Sequence, residues 1–420
     1  MAAVLTTTLL QPALAKQTGD ENWTEFRGPA GQGHSAIVDA PLRWLKPDNV
    51  VWWAEIPGEG WSSPVHAEGK VFLTTAAPAE GRDGLDLLAL CVDAASGEIV
   101  WRSTVFHQGS GAPAIHRKNS HASPTPVVAG GRIYVHFGHQ GTACLDFAGK
   151  VLWRNSSLNY PPVHGNGGSP VLEQDLLIFH ADGGEKPFLA ALRSDSGKLA
   201  WKRDRSSTAK KAFSFCTPLV IEAAGRRQLI SPFSNAVSGC DPRTGQEIWR
   251  VSYEGYSVVP RPVYAQGLVF VCTGYDQASL LAIDPSGRGD VAKTHVRWRR
   301  DKRVPLTPSM LAVDEELYLV DDNGIVTCLE ARTGKEHWVE RLVGNYSASP
   351  VLAAGRIYIV SEEGLVSVLA PGQTFQRLAE SDLEERVLAS PAPVSGGFLV
   401  RTAGNLYRFG APASGAAAGG

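Results

Sequence analysis

The sequence predicts an all-β fold: an eight-bladed β-propeller of four-stranded antiparallel blades, its ring closed by an N-terminal strand that completes the last blade. Three observations predict it. A Gly-x-x-x-Trp element recurs along the chain, a Ser/Thr-Pro-aliphatic element recurs out of phase with it, and a solitary Trp-bearing strand stands ahead of the first complete unit. Self-similarity at a fixed period is the signature of a repeat architecture, because one small unit cannot bury its apolar face alone.

In the first repeat, Gly stands four residues before Trp at Gly97–Trp101, Gly149–Trp153, Gly197–Trp201, Gly245–Trp249 and Gly334–Trp338. A further copy between Asp284 and Trp298 holds an insertion, so that Gly289 falls nine residues before its Trp, and a late copy near Pro371-Gly372 has Phe375 in place of Trp. The Thr-Gly or Ser-Gly pair supplies a residue that tolerates positive φ, as a tight hairpin requires. In the second repeat, Pro64, Pro126, Pro170, Pro218, Pro262, Pro308, Pro350 and Pro393 follow Ser63, Thr125, Ser169, Thr217, Arg261, Thr307, Ser349 and Ala392. These prolines recur about every 45 residues, the first interval being lengthened by Gly-rich stretches around 78–84 and 107–118. Each unit reads as strand A (Ser-Pro-Val), strand B (as in Arg132–His136), strand C and, after the Gly turn, strand D carrying the Trp. Period-two alternation and β-branched enrichment favour strands over helices.

The last unit ends at Asn405–Gly410 without a strand D, and an orphan strand D lies at 50–56. Pairing the two closes the ring and leaves no open sheet edge. The Trp side chains Trp53, Trp101, Trp153, Trp201, Trp249, Trp298 and Trp338 are expected to dock on neighbouring blades rather than bind a ligand. Residues 50–410 are thus the propeller, 16–49 an N-terminal extension and 411–420 a flexible low-complexity tail.

Residues 1–15 carry a short apolar stretch ending in Ala13-Leu14-Ala15, the small-x-small pattern of a secretory cleavage site, so the chain is expected in the periplasm or outside the cell. No Cys follows that site to serve as a lipid anchor. Forty basic against 42 acidic residues give a net charge of −2, which offers no field for nucleic acid, and no apolar run is long enough for a spanning helix. Cys91, Cys144, Cys216, Cys240, Cys272 and Cys328 show no C-x-x-C spacing and read as buried small hydrophobes. His136, His139, His164 and His180 fall near one another in the repeat frame; they read as edge or core histidines, and no metal site is assigned.

The turn-plus-Trp element resembles the tryptophan-docking repeat of PQQ-like propellers, over about residues 50–410. That superfamily includes quinoprotein alcohol dehydrogenases and the BamB-type propeller of the outer-membrane β-barrel assembly machinery. The segment from Trp23 to Ser35 also resembles the start of secreted PQQ-like repeat proteins. For a dehydrogenase the resemblance implies PQQ, clamped between a Trp and an adjacent-cysteine ring, with Ca²⁺ on acidic and amide side chains. This chain departs from that pattern, having neither a Cys-Cys pair nor a C-x-x-C-H haem site, nor a nucleophile elbow or phosphate loop. The reading is therefore a monomeric, non-catalytic binding or scaffold propeller without an assigned cofactor. A PQQ-dependent alcohol or sugar dehydrogenase and a BamB-like assembly factor are the alternatives.

D-to-A and B-to-C loops emerge on one face and the Gly turns on the other. The D-to-A loops vary and are polar, and variable loops on a rigid scaffold are where function sits. The residues before the prolines form a ring in which Arg261 is the one charged member, and its burial calls for a carboxylate partner or an anionic ligand. Arg261, Asn119, His121, His164, Tyr256, Arg303 and Tyr346 are accordingly the candidate ligand contacts for a protein, peptide or small polar partner.

Overall fold

The computed structural model describes residues 22–410. The expected cleavage site and tail lie outside them. Eight sheets follow one another along the chain, seven of four strands and one of five. Blades 1 to 7 begin at Val65, Val127, Val171, Leu219, Val263, Leu311 and Val351, and blade 8 spans 392–410. Every inner strand starts two residues after a small polar residue or Arg261, and each blade alternates apolar residues into the layers between sheets.

The ring closes as the orphan strand predicts. Val50–Glu55 pairs antiparallel with Asn405–Gly410, with Trp53 opposite Tyr407 and Glu55 opposite Asn405. A register irregularity between Val50 and Trp52 decides which indole faces inward. Trp52 is 7% exposed and Trp53 is 60% exposed, so the docking residue of this strand is Trp52 and the expectation for Trp53 is corrected. Successive side chains on a strand point to opposite faces, and only one of two adjacent tryptophans can dock.

Five outer-strand indoles rest on the glycine turn of the next blade. Trp52 lies on Gly97, Trp101 on Gly149, Trp153 on Gly197, Trp201 on Gly245 and Trp298 on Gly334, so closely that an added Cβ would come within 2.4–2.8 Å of the ring. Indole N–H groups donate to turn carbonyls from Trp52 to Ala94 (2.9 Å), Trp101 to Phe147 (2.9 Å) and Trp338 to Gly372 (3.0 Å). Trp249 breaks the series. Its indole lies over Gly239 of its own blade and donates to Gln228 Oε1 at 2.7 Å. The insertion before Trp298 explains why: Gly289–Asp290 pairs in parallel with Trp249 and Arg250 as a fifth strand, so no bare glycine turn is presented there.

Residues 22–49 are not a loose extension. Trp23 bridges to His66 of blade 1, Thr24 accepts from Val128 N of blade 2, and His34 bridges to Leu352 of blade 7. Arg27 donates to the carbonyls of Met310 (2.6 Å) and Pro350 (3.2 Å). This segment contacts the far ends of the inner strands and so plugs the central channel from the Gly-turn face. It leaves between blades 7 and 8, where Trp44 packs among Tyr358, Phe398 and Phe409.

All six cysteines are buried and unpaired. Burial pushes the thiols of Cys91, Cys144, Cys240 and Cys328 up to about 12, which keeps them protonated. No helix among the described residues is long and apolar enough to cross a membrane.

Candidate functional site

The first residue of each channel-lining segment carries a hydroxyl in all blades but one. The backbone N–H of Ser63 donates to Thr125 Oγ1 (3.0 Å), Thr125 N to Ser169 Oγ (2.9 Å) and Ser169 N to Thr217 Oγ1 (2.9 Å). The series resumes with Arg261 N to Ser309 Oγ (3.0 Å), Ser309 N to Ser349 Oγ (3.0 Å) and Ser349 N to Ser390 Oγ (2.9 Å). Adjacent blades are thereby stitched together around the channel. Thr307 and Ala392 are not members, as the Pro spacing had suggested; Ser309 and Ser390 are. The hydroxyl two residues before the inner strand defines the ring, and in blade 6 that strand is preceded by Met310 instead of Pro.

Arg261 interrupts the hydroxyl series and is 1% exposed. Its guanidinium turns away from the loop face toward the plug. Nε donates to Pro218 O at 3.0 Å, Nη1 donates to the Phe26 carbonyl, and Nη2 lies 3.7 Å from Glu25 Oε1. An added Cβ on Gly31 would come within 2.2 Å of the same guanidinium. The carboxylate partner is present within the chain, so Arg261 is corrected from ligand contact to anchor of the plug. Burial pushes the Glu25 carboxyl up, against the pull of Arg261.

Above the plug, a cavity of about 440 Å³ opens on the D-to-A loop face, with Phe26 among its lining residues. Trp61, Phe213, Phe215, Tyr256 and Tyr275 give it aromatic walls, Lys118 and Lys211 bring its ammonium groups, and His116 and His164 add two imidazoles. Of the residues singled out from sequence, Asn119, His164 and Tyr256 line it. Asn119 Nδ2 donates to the His164 carbonyl at 2.9 Å, fixing a residue held at φ 62°. The His164 ring meets His116 and Phe213 edge-on at 5.8 and 5.2 Å. Tyr256 accepts from Lys211 Nζ at 2.8 Å and donates to Asp276 Oδ1 at 3.2 Å. Burial, then the charges of His164, Arg117 and Lys118, push His116 down.

The remaining candidates lie elsewhere. His121 is held by Gln108 at 3.1 Å outside the cavity lining. Arg303 pairs with Glu336 at 2.6 Å on the outer edge. Tyr346 is buried between blades 6 and 7, its hydroxyl donating to Val343 O at 2.8 Å. Lys211, Phe213 and Phe215 were missed by sequence reasoning, although the Phe-Ser-Phe stretch in a D-to-A loop was a usable signal.

The calcium–quinone pair of the dehydrogenases does not fit this cavity. Its lining carries no carboxylate to hold Ca²⁺, and no cysteine ring to stack on a quinone. Among the described residues no group of His, Cys, Asp and Glu side chains could hold a metal ion.

Indoles clasped onto the next blade's turn, eight radial sheets and a ring fastened by its N-terminal strand define a PQQ-like β-propeller. The sequence matches the family described as outer membrane protein assembly factor BamB over residues 86–301 and 290–415, and the chain belongs to that family. BamB of Alkalilimnicola ehrlichii is 29% identical over 161 residues, 37% of this chain and 40% of the relative. BamB of Yersinia pestis is 22% identical over 315 residues, 74% of this chain and 66% of the relative. The matched parts span less than two thirds of either relative's length. Among solved structures, a quinohemoprotein alcohol dehydrogenase from Comamonas testosteroni superposes with a TM-score of 0.69 at 10% identity, covering 94% of this chain and 81% of that one. BamB from Moraxella catarrhalis superposes with a TM-score of 0.60 at 12% identity, covering 86% and 97%. At such identities the structural likeness concerns fold alone.

Proposed function

We propose that this chain is a non-catalytic scaffold in outer membrane protein assembly, exported to the periplasm, which holds a protein or peptide partner on its D-to-A and B-to-C loop face. The observation that carries the reading is the one-sided channel. Residues 22–37 occupy the Gly-turn side, and the concave surface that remains is ringed by variable loops. The BamB names of the relatives supply the process, and the absence of carboxylates from the cavity lining argues against a calcium-assisted oxidation.

The test is capture of purified barrel-assembly components by the tagged protein. Arg117→Glu combined with Glu384→Arg, both exposed on the loop face, is expected to reduce capture, while Lys335→Glu on the Gly-turn face leaves it unchanged. Capture lost with Lys335→Glu and kept in the loop-face variant, or no capture by the unaltered protein, refutes the reading. Dye reduction by an alcohol or sugar after adding PQQ and Ca²⁺ is expected to stay at background.

A further inference from the structure

We propose that the loop-face cavity binds a small organic anion, a carboxylate carried on an aromatic or other apolar body. The inference rests on the reading of this face as the working face and adds the chemistry of what enters it.

Hydrogen-bonding capacity is the first argument. Ser63 aside, each hydroxyl of the ring spends its oxygen on a backbone N–H of the preceding segment, so its own O–H remains to donate. Those hydroxyls line the cavity. Trp61, 7% exposed, lines the same cavity. The cavity thus offers many donors and few acceptors, which suits an oxyanion and disfavours a sugar.

Charge gives the second argument. Among the described residues no Asp or Glu lines the cavity, whereas Lys118 and Lys211 do. Lys211 has Tyr256 as its partner, through the hydroxyl at 2.8 Å and the ring at 4.4 Å, while the Asp276 carboxylate faces it from the far side of the Tyr256 hydroxyl and outside the cavity lining. The acids nearby are already engaged: Glu362 with Lys118 (2.6 Å) and Ser347 (2.6 Å), Asp322 with Thr307 (2.6 Å) and Leu306 N (2.7 Å), and Asp276 with the Tyr256 hydroxyl (3.2 Å). Beneath and beside the channel lie the buried guanidiniums of Arg27, Arg261 and Arg401, with Glu25 the carboxylate beside Arg261. Arg401 is held by Ser62 Oγ at 2.8 Å and Thr74 O at 2.7 Å, neutral acceptors that leave its charge in place. Positive charge in a low-dielectric surround raises the affinity for an anion well above its value in water.

Shape is the third argument. Phe26, Trp61, Phe213 and Phe215 present flat apolar surface beside these donors, and about 440 Å³ is the volume of a small-ligand pocket.

The test is calorimetric titration of the full chain with 3-phenylpropionate and with its neutral amide. The carboxylate is expected to bind about tenfold more tightly than the amide, and to weaken as sodium chloride is added. Lys211→Gln, at an exposed position where the fold does not depend on it, is expected to weaken the carboxylate about fivefold and leave the amide unchanged. Equal binding of acid and amide, no saturable binding of the acid up to about 10 mM, or unchanged selectivity in Lys211→Gln overturns the proposal. Partner capture is measured on the same preparations. Capture without carboxylate binding sinks this inference alone, and carboxylate binding without capture sinks the scaffold reading alone.

Discussion

Trp52 donates its indole N–H to the carbonyl of Ala94 at 2.9 Å, joining the strand that completes blade 8 to the turn of blade 1. Arg408, on the partner strand, donates to the same carbonyl at 2.7 Å. One carbonyl therefore holds both strands of the closure, and the two ends of the propeller meet at a single turn. Trp52→Ala is expected to cost about 3–5 kcal/mol, as for a large ring removed from a core. Trp53→Ala, at an exposed position, is expected to stay within about 0.5 kcal/mol of the unaltered chain. Urea unfolding of the two variants checks the contrast; comparable losses would show that the wrong indole has been assigned to the closure.

Gly97 sits at φ 79° with the Trp52 ring within 2.7 Å of where a Cβ would be, whereas Gly289 at φ 69° has nothing within 4 Å. Alanine at Gly289 meets only the left-handed backbone penalty of about 1–2 kcal/mol. Alanine at Gly97 meets that penalty and also lifts the indole, so the expected loss is larger by about 1–3 kcal/mol. Thermal melts of the pair measure the difference directly.

Arg261→Met leaves Glu25 without its cation and is expected to destabilise by about 3–5 kcal/mol, the usual cost of breaking a buried pair from one side. Glu25→Gln leaves the guanidinium with its two carbonyl acceptors and is expected to cost less. In the double variant part of the loss should return. Chemical denaturation of the three proteins completes the cycle, and strict additivity would show that the two residues do not interact.

The acid limb of the stability curve has two identifiable contributors. Burial, then the charges of His180 and His139, push His136 down to about 3. From its ordinary value near 6.5 down to 3, the unfolded chain takes up a proton that the folded chain refuses, so stability falls as pH falls. Glu385 is pushed up by burial, but bonds from Lys46, Thr402, Tyr407 and Asn405 outweigh this and hold it at about 2. Its contribution is complete above about 4.5, its ordinary range, and is lost as pH drops toward 2. His136→Gln is expected to flatten the decline between pH 6.5 and 4.5, and Glu385→Gln the steeper part below it. Melting temperatures from about pH 7 down to the acid end of the Glu385 titration test both, and an unchanged slope in either variant removes that residue from the account.

The buried thiols make a simpler forecast. None of the six should react with a thiol reagent on the native chain within minutes, and all six should react in denaturant.

The ring architecture was legible because its signals are local. The glycine and the tryptophan of one turn lie four residues apart, and the hydroxyl stands two residues from its strand. What was not legible depended on partners far away in the chain. Nothing near Arg261 points to Glu25, more than two hundred residues upstream, so the local sequence leaves a carboxylate partner and an anionic ligand equally open. The Trp52-Trp53 pair was ambiguous because a register irregularity, not the local pattern, sets the phase of that strand. Proline was a proxy for the hydroxyl ring and misled in two blades: in blade 6 Met310 follows Ser309, and in blade 8 a second proline, Pro393, stands beyond the Ser390-Pro391 pair that belongs to the ring. The loop-face residues Lys211 and Phe213 escaped because loops carry no periodicity to flag them.

Residues 22–37 turn what could have been a pipe into a cup. Nothing can thread this ring from side to side, so whatever enters must leave by the mouth through which it came. A protein seated across that mouth would act as its stopper, and the dwell time of a captured molecule would then be set by the departure of the larger companion.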